Sequence, residues 1–226
     1  MALKIIVSYD DTDNDRDALA LGRLLAISGA DLSLAYVRHS VGGALEQKEA
    51  EEMLARGAAS VGAPEMARHV VINPGTSIGL RELAESENAD VIVFGSEYRT
   101  APGIVKPGIS AHKLLLDGPA AIAIAPAGLH SNPSVSINTV GILDGGDPSA
   151  RETAQSLAGT LGAGVSEHGS GPVDLLVVGS RPEAHPGKVT ISAASDYAIE
   201  TASSPVLVVP RGIALDFSAA APAPAA

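Results

Sequence analysis

Three apolar stretches of this chain end in residues that could meet a nucleotide. Lys4 to Tyr9 is closed by Asp10, with Asp11-Thr12-Asp13 following. Leu32 to Val37 is the second stretch, and Ala89 to Phe94, continuing into Gly95-Ser96, is the third. A Gly- and Pro-rich loop then covers 95–108 and leads into Gly108-Ile109-Ser110. Glycine allows a ligand to approach the backbone, and the free N–H groups of a helix start attract phosphate. A carboxylate for the base, a peptide edge at Val37 and a loop with a helix start form a set suited to a nucleotide. Each part also has a plain structural meaning. Asp10 can cap the first helix, Gly95 can be a strand-exit turn, and Gly108 can open a helix after Pro107.

Other chemistries are excluded by what the chain lacks. Cysteine is absent, which removes disulfides, thiol nucleophiles and Cys-bound zinc and fits a reducing compartment. The six His are scattered at 39, 69, 112, 130, 168 and 185, without metal-ligand spacing. No nucleophile–base pair is identifiable. Trp is absent and aromatics are 3%, too few for stacking platforms. Acids exceed bases by 17 to 11 over residues 1–130 and by 9 to 4 over 131–226. With no basic half and a net charge of −11, nucleic acid and anionic membranes are poor partners. No apolar run is long enough to span a bilayer or resembles a signal peptide. The run Asp10 to Asp15 could suggest magnesium, but solvated acids at a helix start explain it.

The elements that must position these residues alternate strictly. Strands are expected at 4–9, 32–37, 69–73, 89–94 and 121–125. Helices are expected after the N-cap run Asp10-Asp11-Thr12-Asp13 as far as Gly29 (with Ala18, Leu19, Leu21, Leu24, Leu25 and Ile27 on one broad face), at 44–61, at 76–87 and from about Ser110. The strands are near-continuously apolar, which predicts a parallel sheet covered on both faces, with ligands at the carboxyl ends.

The chain also repeats. Residues 89–126 and 173–210 align without a gap at an offset of 84, with eight identities, among them Asp90/Asp174, Gly95/Gly179, Ser96/Ser180 and Gly103/Gly187. The first strand recurs as Ile142-Leu143-Asp144-Gly145-Gly146, aligned with Ser8-Tyr9-Asp10-Asp11-Thr12 at an offset of 134. The second copy therefore lacks about 50 residues, namely the counterparts of the helix at 44–61, the strand at 69–73 and the helix at 76–87. It keeps strand 137–143, helix 149–161, a short strand at 163–167, strand 174–179, helix 193–202 and strand 205–209. The expected division is 1–128, a linker over 127–136, 137–212, and a disordered Ala/Pro tail from 213 to 226.

On the opening Ser8-Tyr9-Asp10-Asp11-Thr12 and the run GSEYRT…KPGISAHKLLLDGPAAIAIAP, the sequence resembles the universal stress proteins, in a tandem form with a shortened second copy. The resemblance implies a five-stranded parallel sheet of order 3-2-1-4-5 between helices. It also implies a phosphate motif of Gly, two residues, Gly, nine residues, Gly, then Ser or Thr. Gly95 and Gly108 match the first and third Gly; Tyr98 stands at the second and Ile109 at the hydroxyl position, with Ser110 next. Asp10 matches the adenine-contacting Asp and Val37 the backbone contact beside it. In the second copy Gly179 is kept, but Pro182, Ser192 and Ala193 replace the rest, which makes that copy a structural partner. Family members often pair through their last strands, so 121–125 and 205–209 are expected to pair within this chain. The shortened copy also suggests further self-association.

Two functional readings stand open. The first is a cytoplasmic regulatory stress-response module, not an enzyme beyond slow ATP hydrolysis. It would bind ATP, with Mg2+, in the first copy through Ser8, Asp10, Thr12, Val37, Phe94, Gly95, Gly108, Ile109 and Ser110. The second is a stress protein without nucleotide that acts through protein–protein interaction and dimerisation. Two relatives of the architecture fit less well. An adenine-nucleotide α-hydrolase needs a Gly-rich pyrophosphate loop where Asp10-Asp11-Thr12-Asp13 stands. A phosphoacceptor receiver needs an Asp where the third strand ends in Asn73-Pro74.

Overall fold

Strands made of unbroken Ile, Val and Ala must be covered on both faces, and the computed structural model arranges them so. It describes residues 2–26, 29–40, 43–132 and 135–220. Ile27 of the expected helix face, residues 133–134 of the expected linker and 221–226 of the expected tail lie outside the described residues.

The first half runs β1 (Lys4–Ser8), α1 (Asp13–Ala26), β2 (Asp31–Arg38), α2 (Ala44–Ser60), β3 (Ala67–Ile72), α3 (Thr76–Glu87), β4 (Val91–Gly95), α4 (Ile109–Asp117) and β5 (Ala121–Ala125). The second half runs β6 (Thr139–Leu143), α5 (Ser149–Leu161), β7 (Gly164–Glu167), β8 (Leu175–Gly179), α6 (Ala193–Glu200) and β9 (Val206–Val209). The sheet order is β3-β2-β1-β4-β5-β9-β8-β6-β7. The first five strands have the expected order, but the sheet is larger than a five-stranded unit: it continues through the second half to nine strands. Every pairing is parallel except β5 with β9, which run antiparallel with Ile122 opposite Val208 and Ile124 opposite Val206.

Two cores follow from the alternation of side chains along the strands. Ile5, Val7, Val91, Val93, Val140, Ile142 and Val177 pack with α1, α2 and α5. Ile6, Val37, Ile92, Phe94, Ile122, Val178 and Val206 pack on the opposite face with α3, α4 and α6.

Symmetry-related hydrogen bonds tie the halves together across the β5–β9 seam. The Val105 amide donates to Ala202 O at 3.0 Å, and the Val189 amide donates to Gly118 O at 2.9 Å. Both donors and both acceptors are 84 residues apart. Within each half an equivalent bond recurs: Ser96 Oγ donates to Ala125 O, and Ser180 Oγ to Val209 O, each at 2.7 Å.

Two expectations are corrected. In the paired strands Ile5 lies opposite Val91 and Val140 opposite Leu175, so β1 and β6 correspond at an offset of 135, not 134. Tyr9, not Asp10, is the counterpart of Asp144. Asp11 (φ 55°) and Gly146 (φ 96°) then coincide as left-handed residues in equivalent turns. The chain also remains ordered past residue 213. Leu215 and Phe217 are buried against α5, held by Leu215 N–H to Thr153 Oγ1 (2.9 Å) and Phe217 N–H to Ser156 Oγ (2.8 Å).

Candidate functional site

The carboxyl ends of β1, β2 and β4 lie side by side, because β1 is flanked by the other two. Val37 and Phe94 are buried in the α3–α4 core, and alternation puts Ser8 on that same face. Gly108, Ile109 and Ser110 begin α4, which covers this face. Asp10 and Thr12 lie in the loop above the end of β1.

That loop is built around Asp15. One of its carboxylate oxygens accepts the Asp10 amide (3.0 Å), the Thr12 amide (3.2 Å) and the Thr12 hydroxyl (2.6 Å). Thr12 Oγ1 in turn accepts the Asp15 amide at 3.3 Å, a reciprocal cap at the start of α1. Thr12 thus has a capping role. Burial pushes the Asp15 carboxyl above the usual range, against the pull of the Thr12 hydroxyl and the two amides. The Asp10 carboxylate accepts no hydrogen bond among the described residues. Partial desolvation first, and then the nearby Asp15, raise its pKa, while His39 opposes them.

The two motif glycines differ. A β-carbon on Gly95 would fall 1.9 Å from Asn14 O, so glycine is required for β4 to pass α1. Asn14 Nδ2 also donates to Ser96 O at 2.7 Å. A β-carbon on Gly108 would meet nothing within 4 Å, and its φ of −73° suits any residue. Neither packing nor backbone conformation requires glycine there. Among the described residues, the start of α4 has no side-chain cap. The equivalent start of α6 is capped by Ser192, whose Oγ accepts the Ser195 amide at 3.1 Å.

Between these glycines the loop forms a tongue. Ser96 bridges Pro107, the Glu97 amide donates to Lys106 O at 2.7 Å, and the two side chains form an ion pair at 2.7 Å. Val105 is fully buried and bonded to the second half. Tyr98 and Ile109 are 74% and 79% exposed, and the Arg99 guanidinium lies 5.1 Å from the Tyr98 ring centre.

The structure adds residues that the sequence reading passed over. Asp17, 2% exposed on α1, accepts the Gly128 amide (2.8 Å), the His130 amide (2.8 Å) and His130 Nδ1 (2.6 Å). Ser131 Oγ is 3.3 Å from His130 Nε2, so Asp17, His130 and Ser131 stand in a row. In the second half Thr153 holds the chain after β9 as Asp17 holds the chain after β5, which gives the row a structural meaning. Arg38 is another missed residue. It is buried at the end of β2, and its burial has no sequence signal. Among the described residues, no group of three or more acids or His could hold a metal ion.

No protein-family model and no curated protein matches this sequence. Solved structures do. A universal stress protein from Archaeoglobus fulgidus DSM 4304 superposes with a TM-score of 0.65 at 15% identity, covering 92% of this chain and 98% of that one. A putative universal stress protein from Pseudomonas aeruginosa UCBPP-PA14 gives 0.61 at 14%, with coverages of 92% and 93%. A functionally unknown protein, PA1789 from Pseudomonas aeruginosa PAO1, gives 0.61 at 15% with the same coverages. The class defined here is therefore a parallel α/β sheet whose two halves join through their last strands. It is the fold of the universal stress proteins, and the likeness extends over both halves.

Proposed function

We propose that the chain is a regulatory stress-response module that binds an adenine nucleotide in its first half. The observation that carries this reading is the start of α4. It is opened by a glycine that neither packing nor backbone conformation demands, and it lacks the cap that Ser192 provides in the second half. Uncapped N–H groups at a helix start are a phosphate site, and glycine gives phosphate room. The unbonded Asp10 carboxylate and the Val37 backbone supply the base end. Ser110 replaces the hydroxyl that Ile109 lacks, and the ligand is ATP with Mg2+. The module is cytoplasmic, self-associates and turns over nucleotide slowly or not at all. No helix among the described residues is long and apolar enough to cross a membrane.

The reading is tested by thermal unfolding with millimolar ATP, with and without Mg2+. Binding to the folded state raises the melting temperature by mass action. Asp10→Ala should remove the shift. No shift in the wild-type protein would overturn nucleotide binding.

One observation favours the second reading, a module that works by protein contacts alone. The 95–108 loop is occupied by the tongue, with Val105 committed to Ala202 and Gly95 to Asn14. A null ATP titration with an unchanged fold would select it.

A further inference from the structure

Arg38 ends β2 on the α1–α2 face, away from α4, and is 6% exposed. Arginine is almost never this buried without an anion, because a guanidinium taken out of water is unfavourable unless it is paired. Yet no carboxylate oxygen lies within 4.0 Å of it among the described residues. Its side chain has one partner there, Gln47 Oε1 at 3.0 Å. Gln47 is neutral and passes the polarity on through Nε2 to Glu51 Oε1 at 2.8 Å. A guanidinium has five donors in a planar fork, so this contact leaves most of them unused.

The unused donors have somewhere to point. Arg38 lines an open cleft of about 430 Å3 between the end of β2 and α2. Arg56 and His39 stand on the same cleft as further donors. Of the acids lining it, Asp11 is engaged by Arg16 at 3.2 Å, and Glu46 and Glu49 are exposed.

We propose that this cleft binds a small organic oxyanion, its phosphate or carboxylate head bidentate on Arg38 and its hydroxyl groups facing Glu46 and Glu49. The planar fork of arginine matches both head groups. The cleft adjoins the base end of the proposed nucleotide site, since Asp11 and His39 line it beside Asp10, but Arg38 lies on the face of the sheet opposite the phosphate end at α4.

The test is thermal unfolding at constant ionic strength with inorganic phosphate, glycerol 3-phosphate, acetate or chloride. At about ten times the dissociation constant the bound anion should raise the melting temperature by roughly 3–5 °C, with chloride inert. A response to the phosphates assigns a phosphate head, and a response to acetate a carboxylate; either supports the site. Arg38→Met should abolish the response, because it removes the fork that would hold the anion. Gln47→Glu places a carboxylate beside Arg38 and should likewise abolish the response, which gives a second reading should Arg38→Met not fold. Arg68→Met, at an exposed arginine outside the cleft, should leave the response intact. No response to any oxyanion, or one that survives Arg38→Met, would overturn the proposal. So would a response lost in Gly108→Ser and kept in Arg38→Met, since the anion would then sit on α4.

Discussion

A β-carbon on Gly95 would lie 1.9 Å from the carbonyl oxygen of Asn14. The end of β4 and the first turn of α1 are therefore in direct backbone contact, and Asn14 Nδ2 to Ser96 O secures it at 2.7 Å. Backbone cannot retreat as a side-chain tip can. Gly95→Ala should destabilise the protein by about 2–3 kcal/mol, at the upper end of overpacking costs. Urea unfolding measures this. A loss within about 0.5 kcal/mol, as at an ordinary surface position, would show that the two elements can separate freely.

Gly108 predicts the opposite. Gly108→Ser should give α4 the self-cap that Ser192 gives α6, raising stability by a few tenths of a kcal/mol, about the difference between Ser and Gly at a cap. The same hydroxyl would satisfy the amide that a phosphate would use. The ATP-induced rise in melting temperature should therefore shrink or vanish while stability rises. A stabilised variant with an undiminished ATP response would place the phosphates elsewhere.

These two glycines are alike in sequence, which shows where sequence reading stops. Element positions were legible because caps and periodicity are local. The helix over 76–87 agrees with the structure to the residue, closed by Asn88 in a left-handed conformation. The helix over 149–161 agrees equally and is closed by Gly162. Strand register was not legible. β1 and β6 are apolar on both faces, so no alternation betrayed a one-residue slip, and the shared Asp drew Asp10 onto Asp144. Ala and Pro after 218 masked the two residues, Leu215 and Phe217, that anchor the chain to α5. Arg38 was hidden for a similar reason: a strand-end arginine reads as solvated, and only the packing of α2 buries it.

Asp17 joins α1 to the chain after β5 through the amides of Gly128 and His130 and through His130 Nδ1. Asp17→Ala would leave two part-buried amides without acceptors, at about 1–3 kcal/mol each. Thr153 has one such task, the Leu215 amide. Thr153→Val should cost about 1–3 kcal/mol, less than Asp17→Ala. Denaturant titration of the pair decides the matter. Equal small losses would mean that neither anchor holds its segment.

Asp15 and Asp147 should give opposite pH dependences. Burial raises the Asp15 carboxyl, so the folded state binds its proton more tightly than the unfolded chain does. Stability then falls as pH rises from the ordinary carboxylate range through the raised value, and stays lower above it. At Asp147 burial also pushes upward, but the Ser149 side chain and amide, the Gly212 amide and Arg211 outweigh it and lower the pKa. The geometry agrees, with the Ser149 amide at 2.8 Å and the Gly212 amide at 3.1 Å. Its contribution is present above the ordinary carboxylate range and is lost as pH falls through the lowered value. Compared with wild type across pH 2 to 7, Asp15→Asn should gain relative stability toward neutrality. Asp147→Asn should lose it over the same direction. Parallel curves for either variant would show that its carboxylate is not coupled to folding.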